Sequence, residues 1–301
     1  MRVAFHDADG KGALIAEALV AAGHTLDPHD GQVAVVDHTH TNGLLFDRPT
    51  VLYPHGGNPC LDWDGHLPHH PNVKAHLTHG PGQAQVLEAV GVAAPAVPVG
   101  WCYSEVAAPR FPTEVRRVIF AAPHRLSTGY LDPVLADASD RALASLRAAG
   151  MEVTVRTMED RLGLTHADID AADLVVADWG TVAHLALARG CPLIMMGTRG
   201  GAPDIGHTGP VHPVGWDRYR HLCRYPVDMA DGPLDQLVER VCRPDFMVEM
   251  YRCRMVGGAF SPARVVAVVE SVAGPAPTSS ATPGSGTTPV RSPAPSSPGW
   301  C

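Results

Sequence analysis

Residues 171–197, AADLVVADWGTVAHLALARGCPLIMMG, decide the fold. Leu174–Ala177 reads as a buried strand, Asp178-Trp179-Gly180-Thr181 as the start of a turn, 182–189 as a short helix and 191–196 as a second strand. Gly190 and Pro192 end the helix, because glycine takes the left-handed conformation there and proline forbids continuation. Both strands are unbroken apolar runs, the pattern of a parallel sheet covered on both faces. A strand–turn–helix unit aims backbone N–H groups and the positive end of a helix dipole at the carboxyl edge of its sheet, where phosphates bind.

The same alternation extends outward from this stretch. Upstream lie a strand at Arg117–Ala121, the loop Ala122-Pro123-His124-Arg125, a helix over 133–149 capped by Gly150, and a strand at Glu152–Arg156. Residues 101–114 hold two prolines and no periodicity, and read as a linker. Before the linker, strands are expected at Arg2–His6, 32–36, Thr50–Tyr53, 73–77 and 96–99, with helices over 13–22 and 83–90. Downstream, 198–216 is too rich in glycine and proline for regular structure, and a loop that long in a compact domain is usually functional. Helices are expected over 234–242, 245–255 and 262–272. The fold class is therefore α/β, with two Rossmann-like doubly wound domains at 1–100 and 115–273. Residues 274–301 are Pro, Ser, Thr, Gly and Ala-rich and are expected to be a disordered tail.

Hydrophobic content of 45% and charged content of 18% are those of a soluble globular protein. No apolar run approaches the roughly 20 residues of a membrane span. The amino terminus, MRVAFHDADGKG, reads as strand and loop rather than a signal peptide. The seven cysteines form no C-x-x-C pair, which argues against a disulfide framework or structural zinc and for a cytoplasmic setting. The net charge of −8 is concentrated in the first part of the chain, which also holds eleven of the 17 histidines. An acidic domain repels a phosphate backbone, so general nucleic-acid affinity is not expected. Walker, G-x-S-x-G, H-E-x-x-H and G-x-G-x-x-G patterns are all missing.

The segment ADLVVADWGTVAHLALARGCPLI resembles the donor-nucleotide segment of the GT-B glycosyltransferase superfamily. Relatives in that superfamily include UDP-N-acetylglucosamine 2-epimerases and CDP-glycerol glycerophosphotransferases. The resemblance implies two Rossmann-like domains facing across a cleft (GT-B), with a nucleotide-sugar donor on the second and the acceptor on the first. It also implies that the last helix crosses back to the first domain, and that neither cofactor nor metal is needed. Gly180 and Thr181 would hold the donor pyrophosphate at the helix start and Asp178 would be a further donor-binding residue, although Thr181 also suits a plain helix cap. Many members carry Glu in the first turn of this helix for the ribose. His184 stands there in this chain, so that contact is either lost or made by imidazole. His124 and Arg125 resemble an A-P-x-x-R run, one residue short, in which a guanidinium fork clamps the pyrophosphate.

His55, in TVLYPHGG, resembles the His-Gly pair of the glycerophosphotransferase relatives. Transfer to a hydroxyl needs a group to take its proton, and a loop imidazole suits that role. Asp9 is the second catalytic candidate, and Asp7, Asp37 and His38 compete at the same sheet edge. Gly10, Gly12, His38 and Gly56 would form an acceptor or phosphate loop, while tight turns explain the glycines equally well. His207, with His212 and Asp204, lies in the long loop and is expected to contact donor base or sugar. Three D-x-D triplets (Asp7/Asp9, Asp62/Asp64, Asp168/Asp170) match a metal motif, but such pairs are usually solvated loop charges. The expected activity is transfer of a sugar from a nucleotide donor such as a UDP-sugar to an unidentified hydroxyl on a glycan, lipid, metabolite or modified nucleobase. Alternatives are a CDP-polyol phosphotransferase, a UDP-sugar 2-epimerase and a non-catalytic nucleotide-binding protein. Oligomeric state is not legible.

Overall fold

The computed structural model describes residues 1–7, 12–37, 47–54, 70–89, 91–121, 133–156, 165–177, 181–196 and 225–274. In the first part of the chain the strands are β1 (Arg2–His6), β2 (Thr25–Asp27), β3 (Val33–Asp37), β4 (Thr50–Tyr53), β5 (Val73–Thr78) and β6 (Ala96–Pro98). The helices there are α1 (Ala13–Ala21) and α2 (Pro81–Ala89). All pairings are parallel, in the order β2-β1-β3-β4-β5-β6. The second sheet holds β7 (Arg117–Ala121), β8 (Glu152–Arg156), β9 (Leu174–Ala177) and β10 (Leu193–Met195), also parallel, in the order β10-β9-β7-β8. Helices α3 (Pro133–Ala148), α4 (His166–Ala171), α5 (Thr181–Ala188), α6 (Leu234–Val241), α7 (Phe246–Met255) and α8 (Pro262–Ala273) follow in the second part.

The two sheets repeat one plan. Numbered within each sheet, the first four strands run 2-1-3-4 in both, so each has a switch point between its first and third strands. The apolar runs explain why. Val3, Val33, Val35 and Val51 face one core with Ile15 and Leu19 of α1, while Ala4, Ala34, Val36 and Leu52 face the other side. A strand buried on both faces has no polar face with which to line a surface, so it takes an interior place.

Helix α8 packs on α1 and on β3, β4 and β5, with Val265 and Val269 fully buried in the first core. Its spacing of four residues between those valines puts both on one stripe. The last helix thus crosses from the second sheet back to the first. The crossing is made by glycine. A Cβ at Gly80 would lie 2.2 Å from the Arg254 carbonyl oxygen, one at Gly257 2.4 Å from the His79 oxygen, and one at Gly100 2.2 Å from the Ala259 oxygen. Backbone therefore lies directly on backbone where the chain passes between the two halves.

Residues 101–114 are not a free linker. Trp101 and Cys102 are fully buried. The strap then runs along the second half, with Ala107 N–H on the Ala188 carbonyl at 2.8 Å and Arg110 N–H on the Gly190 carbonyl at 2.7 Å. Arg110 also donates to the Asp170 and Ile169 carbonyls at 2.6 and 2.9 Å, satisfying the open end of α4. Prolines prevent helix and sheet here, so side chains and turn carbonyls supply the partners instead.

One strand was not expected, and two local readings need correction. Residues 25–27, with no hydrophobic period, form the edge strand β2 because they pair with β1 alone. Asp168-Ile169-Asp170 is part of α4 rather than a pair of solvated loop charges. Asp168 completes a capping box with Thr165, and Asp170 takes two bonds from Arg189 at 2.9 and 2.6 Å. Asp37 belongs to the strand itself rather than to the loop after it. The expected tail and the loop 198–216 lie outside the described residues.

Candidate active site

At the first switch point Asp7 directly follows β1 and Asp37 ends β3. The Asp7 carboxylate accepts the Gly12 N–H at 2.8 Å, which ties the strand end to the start of α1 across the segment containing Asp9 and Gly10. Asp37 is fully buried, with Tyr53 opposite it in register on β4. The Tyr53 hydroxyl donates to the His6 carbonyl at 3.2 Å. Burial first, and then the charges of Asp7 and Asp37, push this phenol far above its ordinary range. It is a neutral donor at any physiological pH. Gly12 is demanded by this packing: a Cβ there would lie 2.8 Å from both the Phe5 ring and the Tyr53 Oη.

Next along the same edge is a cluster that sequence reasoning missed. His79, just after β5, is fully buried, with its ring tilted against Trp101 (4.4 Å between centroids) and edge-on to Tyr103 (4.9 Å). Its backbone N–H donates to the Gln83 side chain at 2.7 Å, and Cys102 Sγ lies 3.7 Å from its Nδ1. Burial pushes the Cys102 thiol up, so no thiolate forms there near neutrality. The Tyr103 hydroxyl donates to the Pro54 carbonyl. The strap between the halves is thereby fastened to the end of β4, one residue before His55. Aromatics in a proline-rich segment were the available signal.

In the second sheet Ala121 and Ala177 are paired in register and fully buried at the β7–β9 switch point. In sequence, His124 and Arg125 come after the first of these strand ends, and Asp178, Gly180 and Thr181 come after the second. Thr181 is exposed at the first turn of α5, whereas every residue from Val182 to Ala188 is buried. His184 is among them, its ring 6.4 Å from that of Tyr251 on α7. A helix apolar on all sides is an interior helix. A ribose contact from His184 would require the ring to leave this packing. Arg156, which sequence reasoning placed only as a strand residue, ends β8 in register with Ala121 and shares the same carboxyl edge.

Asp9, Gly10, His38, His55, Gly56, His124, Arg125, Asp178, Gly180 and His207 lie outside the described residues. What is placed is the frame that carries nine of them: Asp7, Asp37, Pro54, Ala121 and Ala177, all at carboxyl ends of strands. Among the described residues no group of three or more His, Cys, Asp or Glu side chains is arranged to hold a metal ion. No helix among them is long and apolar enough to cross a membrane.

No protein-family model and no curated protein sequence matches the chain. Solved structures do. The chain is similar to the spinosyn rhamnosyltransferase SpnG, at 14% identity and a TM-score of 0.46 over 89% of this chain and 99% of that one. It is also similar to the wall teichoic acid polymerase TagF, at 9% identity and a TM-score of 0.49 over 90% and 88%. For TarM the figures are 8%, 0.36, 81% and 55%. Two like-ordered parallel sheets, joined by a strap and closed by a terminal helix that returns to the first, give this chain a fold of the GT-B type.

Proposed function

We propose that the chain transfers a sugar from a nucleotide-activated donor to a hydroxyl acceptor. The observation that carries the reading is the doubled switch point. Open parallel sheets bind ligands outside the carboxyl ends of their strands at such points, and this chain has two of different chemistry. At the second, an exposed helix start at Thr181 follows β9 and an arginine ends β8, which suits a diphosphate. At the first, the described residues present the carboxylates of Asp7 and Asp37 and the neutral phenol of Tyr53, which suits hydroxyls and repels a phosphate-rich partner.

In this reading the acceptor oxygen attacks the anomeric carbon as its bond to the nucleoside diphosphate breaks. His55 or Asp9 takes the acceptor proton, and Arg125 with the α5 start stabilises the departing diphosphate. Asp7 shapes the segment before α1, and Tyr103 holds the end of β4. His207 and the 178–181 turn contribute donor contacts. His38, Gly10 and Gly56 lie on the acceptor side. The reaction as written uses no metal or cofactor, and its setting is the cytoplasm.

A panel of UDP-, GDP-, CDP- and dTDP-sugars, assayed for nucleoside diphosphate release, tests the reading. Release from one donor, lost in His55→Ala at saturating substrate, supports it. Release of CMP from a CDP-polyol would mark a phosphotransferase instead. If no donor or nucleotide is turned over or raises the melting temperature, the reading fails.

A further inference from the structure

We infer that Arg156 is a phosphate-binding residue of the donor site, contacting the diphosphate through its guanidinium. The assignment rests on the donor reading above and extends it to a third strand of the sheet. Arg156 ends β8 with its Cα opposite Ala121, which in turn pairs with Ala177. The three strand ends form one row, and β8 lies two strand spacings, about 10 Å, from the β9 end that leads to α5. A long side chain on one end of that row and a helix start near the other can share one extended anion.

The guanidinium is poised but uncommitted. Its one ion-pair partner among the described residues is Asp168, at 3.9 Å, beyond hydrogen-bond distance. The other oxygen of that carboxylate accepts the backbone N–H and hydroxyl of Thr165, at 2.7 and 2.8 Å, which fixes Asp168 in its capping position. Among the described residues the buried Arg156 Nε has no hydrogen-bond partner, while the side chain as a whole keeps 31% of its surface open. Three other arginines commit their forks internally. Arg48 reaches Asp47 and the Gly31 carbonyl, Arg189 reaches Asp170 and the Glu105 carbonyl, and Arg252 reaches the Leu187 and Ala107 carbonyls. A buried N–H without an acceptor is costly, and a phosphate oxygen is the acceptor that matches a planar fork. Asp168 at the same place keeps the arginine near the edge without satisfying it.

The test is isothermal titration of the full chain with UDP, GDP, CDP and dTDP, and with the matching nucleosides. It is run on wild type, Arg156→Ala, Arg156→Lys and the opposite-edge control Arg117→Gln, each checked by circular dichroism and melting temperature. The expected result is a loss of at least tenfold in nucleoside diphosphate affinity for Arg156→Ala, a smaller loss for Arg156→Lys, and none for Arg117→Gln. Nucleoside affinity should not change in any of them. Equal diphosphate affinity in wild type and Arg156→Ala overturns the inference alone, and so does a lowered melting temperature with unchanged affinity, which marks a structural pair with Asp168. Equal losses for nucleoside and diphosphate overturn the phosphate contact. If no nucleotide binds the wild type, the donor reading falls and the inference falls with it.

Discussion

Gly12 is the residue at which sequence logic and packing part. Seen in the sequence, a glycine between strand and helix invites a ligand to the backbone. In the structure Phe5 and Tyr53 fill that space, with 2.8 Å left for a Cβ. Gly12→Ala is therefore expected to cost about 1–3 kcal/mol through overpacking, read as a lower denaturation midpoint. Tyr53 itself predicts a pH effect. Its folded phenol is held far above its ordinary value by burial and by Asp7 and Asp37, while the unfolded phenol ionises near 10. The stabilisation is fully present below about pH 10 and is lost as pH rises beyond it. Melting temperature measured from pH 8 to 11 should fall at the alkaline end, and Tyr53→Phe should flatten that fall. His184 shows the limit of motif transfer. Its place in the helix was legible, but its burial against Tyr251 depends on α7, some sixty residues away in sequence.

At the level of elements, most strands were legible because they are apolar runs bounded by polar loops, and β3, β4 and β9 are buried along their whole length. What was not legible was made by contacts distant in sequence. The edge strand β2 exists only through its pairing with β1, and the strap at 101–114 is ordered by partners on α4, α5 and α7 and by His79 and Pro54 of the first half. Arg252 of α7 is the joint of that strap, donating to the Leu187 carbonyl at 2.8 Å and to the Ala107 carbonyl. The glycine crossing sets backbone against backbone between the halves. Gly80→Ala would drive a methyl to 2.2 Å from the Arg254 oxygen, where a helix backbone cannot yield cheaply. It should destabilise by roughly 3 kcal/mol or more, well beyond a typical surface change. A Gly91→Ala control makes no clash and isolates the cost of positive φ, 78° at Gly91. If Gly80→Ala costs no more than that control, the crossing is looser than described.

For the molecule as a whole, the repeated 2-1-3-4 order is the organising fact, and α8 is what makes the two sheets one structure. Val265 lies fully buried between α1 and the first sheet, so Val265→Asp places an unpaired carboxylate in the first core. Unfolding that begins in the first half, with hydrogen exchange rising across β3 to β5 before β7 to β10, is the expected signature. Uniform loss of protection would mean that the halves have no separate cores. The two-sheet plan was legible from strand spacing alone, whereas the acceptor's identity was not, because hydroxyl recognition rests on geometry that no local pattern encodes. The most direct measurement of the central claim is a donor screen with full-length protein, following nucleoside diphosphate release and the mass of any acceptor added. The account predicts that one nucleotide-sugar is cleaved, that the release depends on His55, and that each diphosphate released matches one sugar gained by an acceptor hydroxyl. Failure of every nucleotide-sugar to bind or to be cleaved would contradict it.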